Sequence, residues 1–188
     1  ETKGDLPASN APYRNGKGSL YEGGTRAVAL VNWPGHVDPG EVNGLIHVVD
    51  MLPTLAGQAG ASTAGTKPLD GMDVWKTISE GAPSPRSEIV YNVEMFRGGV
   101  REGDMKLIWQ TPLPQRVELY DIAKDPKETT NLADAQPETV AKLEARIQEL
   151  AKESAKSLFM EATMGAYLHR ELGTPALPND PAFFEQKD

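Results

Sequence analysis

The chain has 188 residues, 39% of them hydrophobic and 24% charged, which suits one modest domain with a lean core. Its formal net charge is -8, so it offers no broad basic face for nucleic acid. It contains no cysteine, which excludes disulfides, thiolate metal sites and a cysteine nucleophile, and no apolar run approaches the roughly 20 residues that cross a bilayer.

Residues 1–26 are dominated by Gly, Pro, Asn and Ser and read as loop. Within them stands Gly16-Lys17-Gly18-Ser19-Leu20-Tyr21-Glu22-Gly23-Gly24-Thr25-Arg26. Glycine permits positive φ and close approach to a ligand. A lysine between two glycines reaches an anion unobstructed by neighbouring side chains. A loop feeding a buried strand is where α/β enzymes place such a group. The plainer reading is a glycine-rich surface turn with a solvated lysine. Asn10 and Arg14 precede the lysine and either shape a site or bond to nearby backbone. Glu22 is spaced to pair with Arg26 and hold the loop.

The apolar run at residues 27–31 predicts a strand buried on both faces. Leu45, Val48, Val49, Leu52 and Leu55 recur at helical spacing, and Pro53 predicts a short helix over 53–59, ended by Gly60. His47 beside Asp50 is open to a catalytic dyad, a metal pair or a hydrogen-bonded rim histidine. His36 and His169 fall in loop-like contexts, and the three histidines show no metal-ligand spacing. A second short helix is expected over 71–78, closed by Gly81. Asp70 and Asp73 offer either a calcium pair or a helix N-cap.

From Ser87 the pattern changes. Strands are expected at 88–93, 98–101, 105–109 and 117–121, forming an antiparallel sheet with one face covered. Residues 134–157 give the clearest helix, with Val140, Leu143, Ile147, Leu150 and Leu158 in one stripe that should cover the sheet. Three prolines after residue 174 predict an extended or disordered tail over 159–188.

Several motifs in order resemble one family. The lysine loop, then Trp33-Pro34-Gly35, Asp50-Met51-Leu52-Pro53-Thr54-Leu55 and Lys67-Pro68-Leu69-Asp70-Gly71-Met72-Asp73-Val74-Trp75, are similar to the second signature region of the sulfatases. Among these the arylsulfatases of the N-acetylgalactosamine-4-sulfatase kind resemble it most. Tyr120-Asp121-Ile122, Asp125-Pro126-Lys127-Glu128 and Asn131-Leu132 resemble the run that ends many members, where Asp and Asn fix turns through their own backbone. The similarity runs from about Asn10 to Leu132.

The resemblance implies the C-terminal part of an α/β, alkaline-phosphatase-like sulfatase fold. That part comprises one buried strand and short helices of the large domain, then a four-stranded antiparallel sheet covered by a helix. The expected boundaries are 1–86 for the end of the catalytic domain, 87–158 for the sheet and helix, and 159–188 for the tail. By resemblance Lys17 is the catalytic lysine that contacts the substrate sulfate, and Tyr21 stands where related enzymes carry a pocket aromatic. Tyr21 reads equally well as a core or turn tyrosine.

The family makes a formylglycine nucleophile from a Cys/Ser-x-Pro-x-Arg motif and uses calcium. Ala82-Pro83-Ser84-Pro85-Arg86 has alanine at the nucleophile position, with the proline displaced, and reads as a turn. Nucleophile, calcium ligands and catalytic histidines are therefore expected in an N-terminal sulfatase portion upstream, whether in one polypeptide or as a separate chain. The chain alone is expected to bind no cofactor and to be inactive on the sulfate ester substrate. The alternative is an autonomous, non-catalytic α+β binding or assembly module.

Overall fold

A computed structural model describes residues 9–93, 97–110 and 115–154. Contacts divide the chain into Glu1–Ala151 and Lys152–Asp188. The account that follows concerns the first unit, and the expected tail and His169 lie outside the described residues.

The sheet forms as its pattern predicts. Strands β1 (Glu88–Val93), β2 (Arg97–Glu102), β3 (Met105–Gln110) and β4 (Arg116–Asp121) pair antiparallel in sequence order. Gly103, at φ +56°, makes the tight turn between β2 and β3. Val100, Leu107 and Leu119 lie in register across three strands. They pack with Leu143 and Ile147 of helix α4 (Pro137–Glu153), so the helix stripe covers this face as its spacing predicts. Leu158 lies outside the described residues.

One expectation about the sheet changes. Three consecutive residues are buried on β3 (Lys106, Leu107, Ile108) and on β4 (Glu118, Leu119, Tyr120). Strand side chains alternate between faces, so both faces are covered rather than one. The second cover is the N-terminal loop: Leu20 and Tyr21 pack with Ile108, Tyr120 and Ile122. The loop brings its own short helix, α1 (Glu22–Thr25). The turn after β4 is set as expected. Asp125 accepts from the Thr129 and Thr130 N–H groups at 2.8 Å each, and Asn131 Oδ1 accepts from Leu119 N–H at 2.9 Å.

The buried strand expected at residues 27–31 requires correction in this chain. The run has no ladder and is exposed, with Val28 at 91% and Leu30 at 92%. A strand buried on both faces needs a neighbour at its edge and a layer on each side. The four strands present pair only with one another, and the run joins neither edge of their sheet. Helix α2 (Met51–Gln58) follows a 3-10 turn at Val48–Asp50 and leaves Leu52 and Leu55 exposed. Helix α3 (Trp75–Glu80) ends at Gly81, which takes the left-handed C-cap.

Candidate functional site: a lysine turn on a buried ion cluster

The turn is held by backbone packing that only glycine allows. Gly23 N–H donates to Arg14 O at 3.0 Å. A Cβ on Gly23 would stand 2.3 Å from Arg14 O, and one on Gly24 would stand 2.4 Å from Ser19 O. Close approach, more than φ, fixes glycine at both positions. Gly18 does need its freedom, at φ +90°. Ser19 Oγ donates to Gly16 O at 2.8 Å and closes the tip. Lys17 sits on that tip, exposed, without a hydrogen bond or ion pair among the described residues.

Beneath α1 lies a charged cluster. Lys106 is 0% exposed, and its Nζ stands 2.8 Å from Glu22 Oε1 and 3.0 Å from Glu128 Oε1. Glu128 is likewise 0% exposed, and its Oε2 accepts Glu22 N–H at 2.6 Å. The ammonium also lies 4.3 Å from the centre of the Tyr91 ring. Burial pushes the Glu128 carboxyl above its ordinary value, against the opposing pull of Glu22 N–H and the Lys106 ammonium. Glu22 pairs with Arg26 as its spacing predicts, at 3.7 Å, but its closer partner is Lys106. The cluster ties α1, β3 and the turn after β4 into one unit under the lysine turn.

Tyr21 is a core residue. Its hydroxyl donates to Glu118 Oε2 at 2.6 Å. Burial first, then the bond and charge of Glu118, push that hydroxyl well above the usual phenol range, so it is a fixed donor. The Arg14 guanidinium stands 3.9 Å over its ring. Arg14 Nη1 donates to Tyr120 Oη at 2.9 Å and Glu128 O at 3.0 Å. Arg14 thus bonds a backbone carbonyl and a core tyrosine and ties the loop to the sheet. Beside it opens a cleft of about 470 Å³, whose lining includes Arg14, Ser19, Tyr21, Arg97, Gln110 and Arg116. Lys17 is not part of that lining, although Gly18 and Ser19 are.

The other candidates resolve into structural roles. His47 and Asp50 share a capping box: Asp50 Oδ2 accepts His47 N–H at 2.8 Å, and His47 Nδ1 accepts Val49 N–H at 3.3 Å. Asp50 also accepts Met72 N–H and two donors of the Arg86 guanidinium. Burial raises its carboxyl, but Arg86 and these N–H groups outweigh that and hold it below its ordinary value. The arginine of the proline-rich turn is thus a staple. Asp73 accepts Trp75 N–H at 2.8 Å at the start of α3. His36 stacks on Trp33, with ring centroids 4.2 Å apart. Among the described residues no group of three His, Asp or Glu converges. The calcium implied by the resemblance therefore does not fit here, and no step is routed through it.

Sequence reasoning missed Lys106, Glu118 and Glu128. For Lys106 and Glu118 the available signal was a charged residue in mid-strand, next to the core positions Leu107 and Leu119; Glu128 lies in the turn after β4, at a positive φ of 53°.

Comparison with known proteins follows the same outline. Residues 15–153 match the family model described as N-sulphoglucosamine sulphohydrolase, C-terminal. Mouse arylsulfatase J is 37% identical over 113 residues, covering 58% of this chain and 19% of its own length. Human arylsulfatase A is 35% identical over 159 residues, covering 69% of this chain and 31% of its own length. A solved structure from work on glycosaminoglycan metabolism by Bacteroides thetaiotaomicron matches with a TM-score of 0.63 at 25% identity, covering 74% of this chain and 32% of that one. The chain therefore spans less than a third of each of these relatives.

Proposed function

This chain belongs to the sulfatase family, matching its C-terminal region, and from that membership we propose that it is the part of a sulfuric ester hydrolase that presents Lys17 to the substrate sulfate. One observation carries the role of Lys17: an exposed ammonium with no protein partner among the described residues stands on a turn fixed from beneath by buried charges. Sulfate-ester cleavage moves negative charge onto the leaving oxygen, and a positioned cation stabilises that charge. The tie through α1 keeps the cation in place, so little reorganisation is needed when substrate arrives.

The remaining machinery is assigned to sequence upstream of this chain. The family resemblance requires a formylglycine nucleophile and calcium ligands; the sequence holds no Cys/Ser-x-Pro-x-Arg motif, and among the described residues no group of three acidic or histidine side chains converges. The apolar run at 27–31 is compatible with this assignment, since it is exposed and pairs with no strand among the described residues.

The test compares two proteins with an aryl sulfate and calcium. The 188-residue chain should show no turnover. The parent protein, expressed from the reading frame that contains this chain, should hydrolyse the ester, and Lys17→Ala should lower its kcat/KM by about a hundredfold or more, in line with loss of one charge-stabilising group. Turnover by the chain alone, or an unaffected Lys17→Ala parent, overturns the proposal.

A second reading is favoured by one observation. The sheet carries a core on each face within this chain, which suits an autonomous α+β binding module. A cooperative melt of the monomeric chain, with an inactive parent, supports that reading instead.

A further inference from the structure

Asn15 and Gly16 stand directly before Lys17, and the pair carries a chemistry of its own. Asn15 is exposed and takes φ +60°, in the left-handed region that asparagine tolerates better than most non-glycine residues. Its Oδ1 accepts the Gly16 N–H at 2.9 Å, a local bond of the kind that competes with regular structure. Among the described residues that N–H makes no other hydrogen bond. The turn thus holds a backbone nitrogen against a side-chain amide that it can attack. Gly16 puts no Cβ beside that nitrogen.

The tip also leaves little room for a longer backbone. Just before Asn15, Arg14 O accepts Gly23 N–H at 3.0 Å. Asn15 O itself accepts Asn10 Nδ2 at 3.2 Å. Just after it, Gly16 O accepts the Ser19 N–H at 3.1 Å and the Ser19 hydroxyl at 2.8 Å. Residue 15 is therefore pinned on both sides.

We propose that the fold makes Asn15 the preferred site of spontaneous succinimide formation and deamidation in this chain, with water as the only co-reactant. The Gly16 nitrogen bonds to Asn15 Cγ, the Cγ–Nδ2 bond breaks, and the Gly16 amide proton leaves with Nδ2 as ammonia. Water then opens the ring at either carbonyl. One opening restores the main chain and leaves an aspartate. The other routes the main chain through Cγ as an isoaspartate, with one more methylene. Nothing is oxidised or reduced. Both products put a carboxylate, charged at neutral pH, two residues from Lys17. The isoaspartate also breaks the spacing between Arg14 O and Gly16 O. That the new acid weakens sulfate binding rests on the role given to Lys17; the modification itself does not.

The experiment is mass-spectrometric peptide mapping of the 188-residue chain aged at pH 5 and pH 8, with isoaspartate detected by enzymatic carboxyl methylation. Asn43-Gly44 is an internal reference with the same two residue types, also exposed. There the chain is wedged against α3, since a Cβ on Gly44 would stand 2.9 Å from Thr77 Cγ2, and among the described residues Asn43 makes no bond to the Gly44 N–H. Conversion should run several-fold faster at Asn15 than at Asn43, and faster at pH 8, where the attacking amide loses its proton more readily. In urea the two rates should converge. A rate at Asn15 no greater than at Asn43 in the folded chain, or a difference that persists in urea, overturns the proposal. A second arm uses the parent protein. Asn15→Asp should lower kcat/KM for an aryl sulfate several-fold, less so at high salt, while Asn15→Gln should keep its activity on ageing, because the longer side chain closes a ring poorly. Fast conversion beside an unaffected Asn15→Asp parent leaves the modification site standing and counts against the lysine assignment alone.

Discussion

Replacing Lys106 with methionine is the most informative single change, because it removes one charge and leaves two. Lys106 and Glu128 are fully buried and Glu22 nearly so, with the ammonium 2.8 and 3.0 Å from the two carboxylates. Methionine fills a similar volume, so the cost is electrostatic. Removing one partner of a buried ion pair costs about 3–5 kcal/mol. Glu22 retains Arg26 at 3.7 Å and Glu128 retains Glu22 N–H, which places the expected loss at about 4 kcal/mol, inside that range. For a chain of this length that corresponds to a fall in Tm of about 8–16 °C.

The pH dependence has a definite sign. Burial already holds the Glu128 carboxyl above its ordinary 4.5, and loss of the ammonium raises it further. A carboxyl raised in the folded state contributes stability that is present below 4.5 and lost as pH rises through the folded value. The deficit of Lys106→Met should therefore be larger at pH 8 than at pH 5. Thermal and urea denaturation followed by far-UV circular dichroism at both values measures it. Glu22→Gln and Glu128→Gln added to Lys106→Met should recover much of the loss at pH 8. A variant within about 1 kcal/mol of the parent at pH 8, well short of the cost of an orphaned buried charge, refutes the argument. So does a deficit of equal size at both pH values.

Gly23→Ala places a methyl 2.3 Å from Arg14 O; the turn must open, and limited proteolysis should cut residues 14–24 much faster than in the parent. Asp50 lies below its ordinary 3.8, so its contribution is present above that value and is lost as pH falls through the folded value. Acid titration of Asp50→Asn should show a shallower loss of stability below pH 4 than the parent, from a lower starting point. Leu143→Ala opens a void between α4 and the sheet and should cost about 2–5 kcal/mol by urea denaturation, with the position of the Lys17 turn unchanged in the amide spectrum.

Much of the architecture was legible in order along the chain. Alternation in residues 88–121 gave four strands with nearly correct limits, and the spacing of Val140, Leu143 and Ile147 gave a helix for one face. Gly81 stopped α3, and Asn131 and Asp125 fixed the turn after β4 as their types suggest. The glycine pattern of the lysine loop marked a tight turn, but only in part for the reason expected. Gly23 and Gly24 are needed for contact with carbonyl oxygens more than for unusual φ. Residues 27–31 show where local pattern fails. Their composition describes a buried strand, yet burial and pairing are supplied by other segments, and the four strands here supply neither.

What the sequence determined by itself is periodic and local: strand and helix positions, turn residues, an unobstructed lysine between glycines, and the motifs that identify the family. What only the tertiary structure decided is which charges lose water. Glu22, Lys106 and Glu128 are separated by up to 106 residues and become one buried cluster, while Arg14, Arg97 and Arg116 become one cleft. The physical reason is that the energy of a charge depends on distance and local dielectric, and both are set by which faces of the sheet are covered and by what.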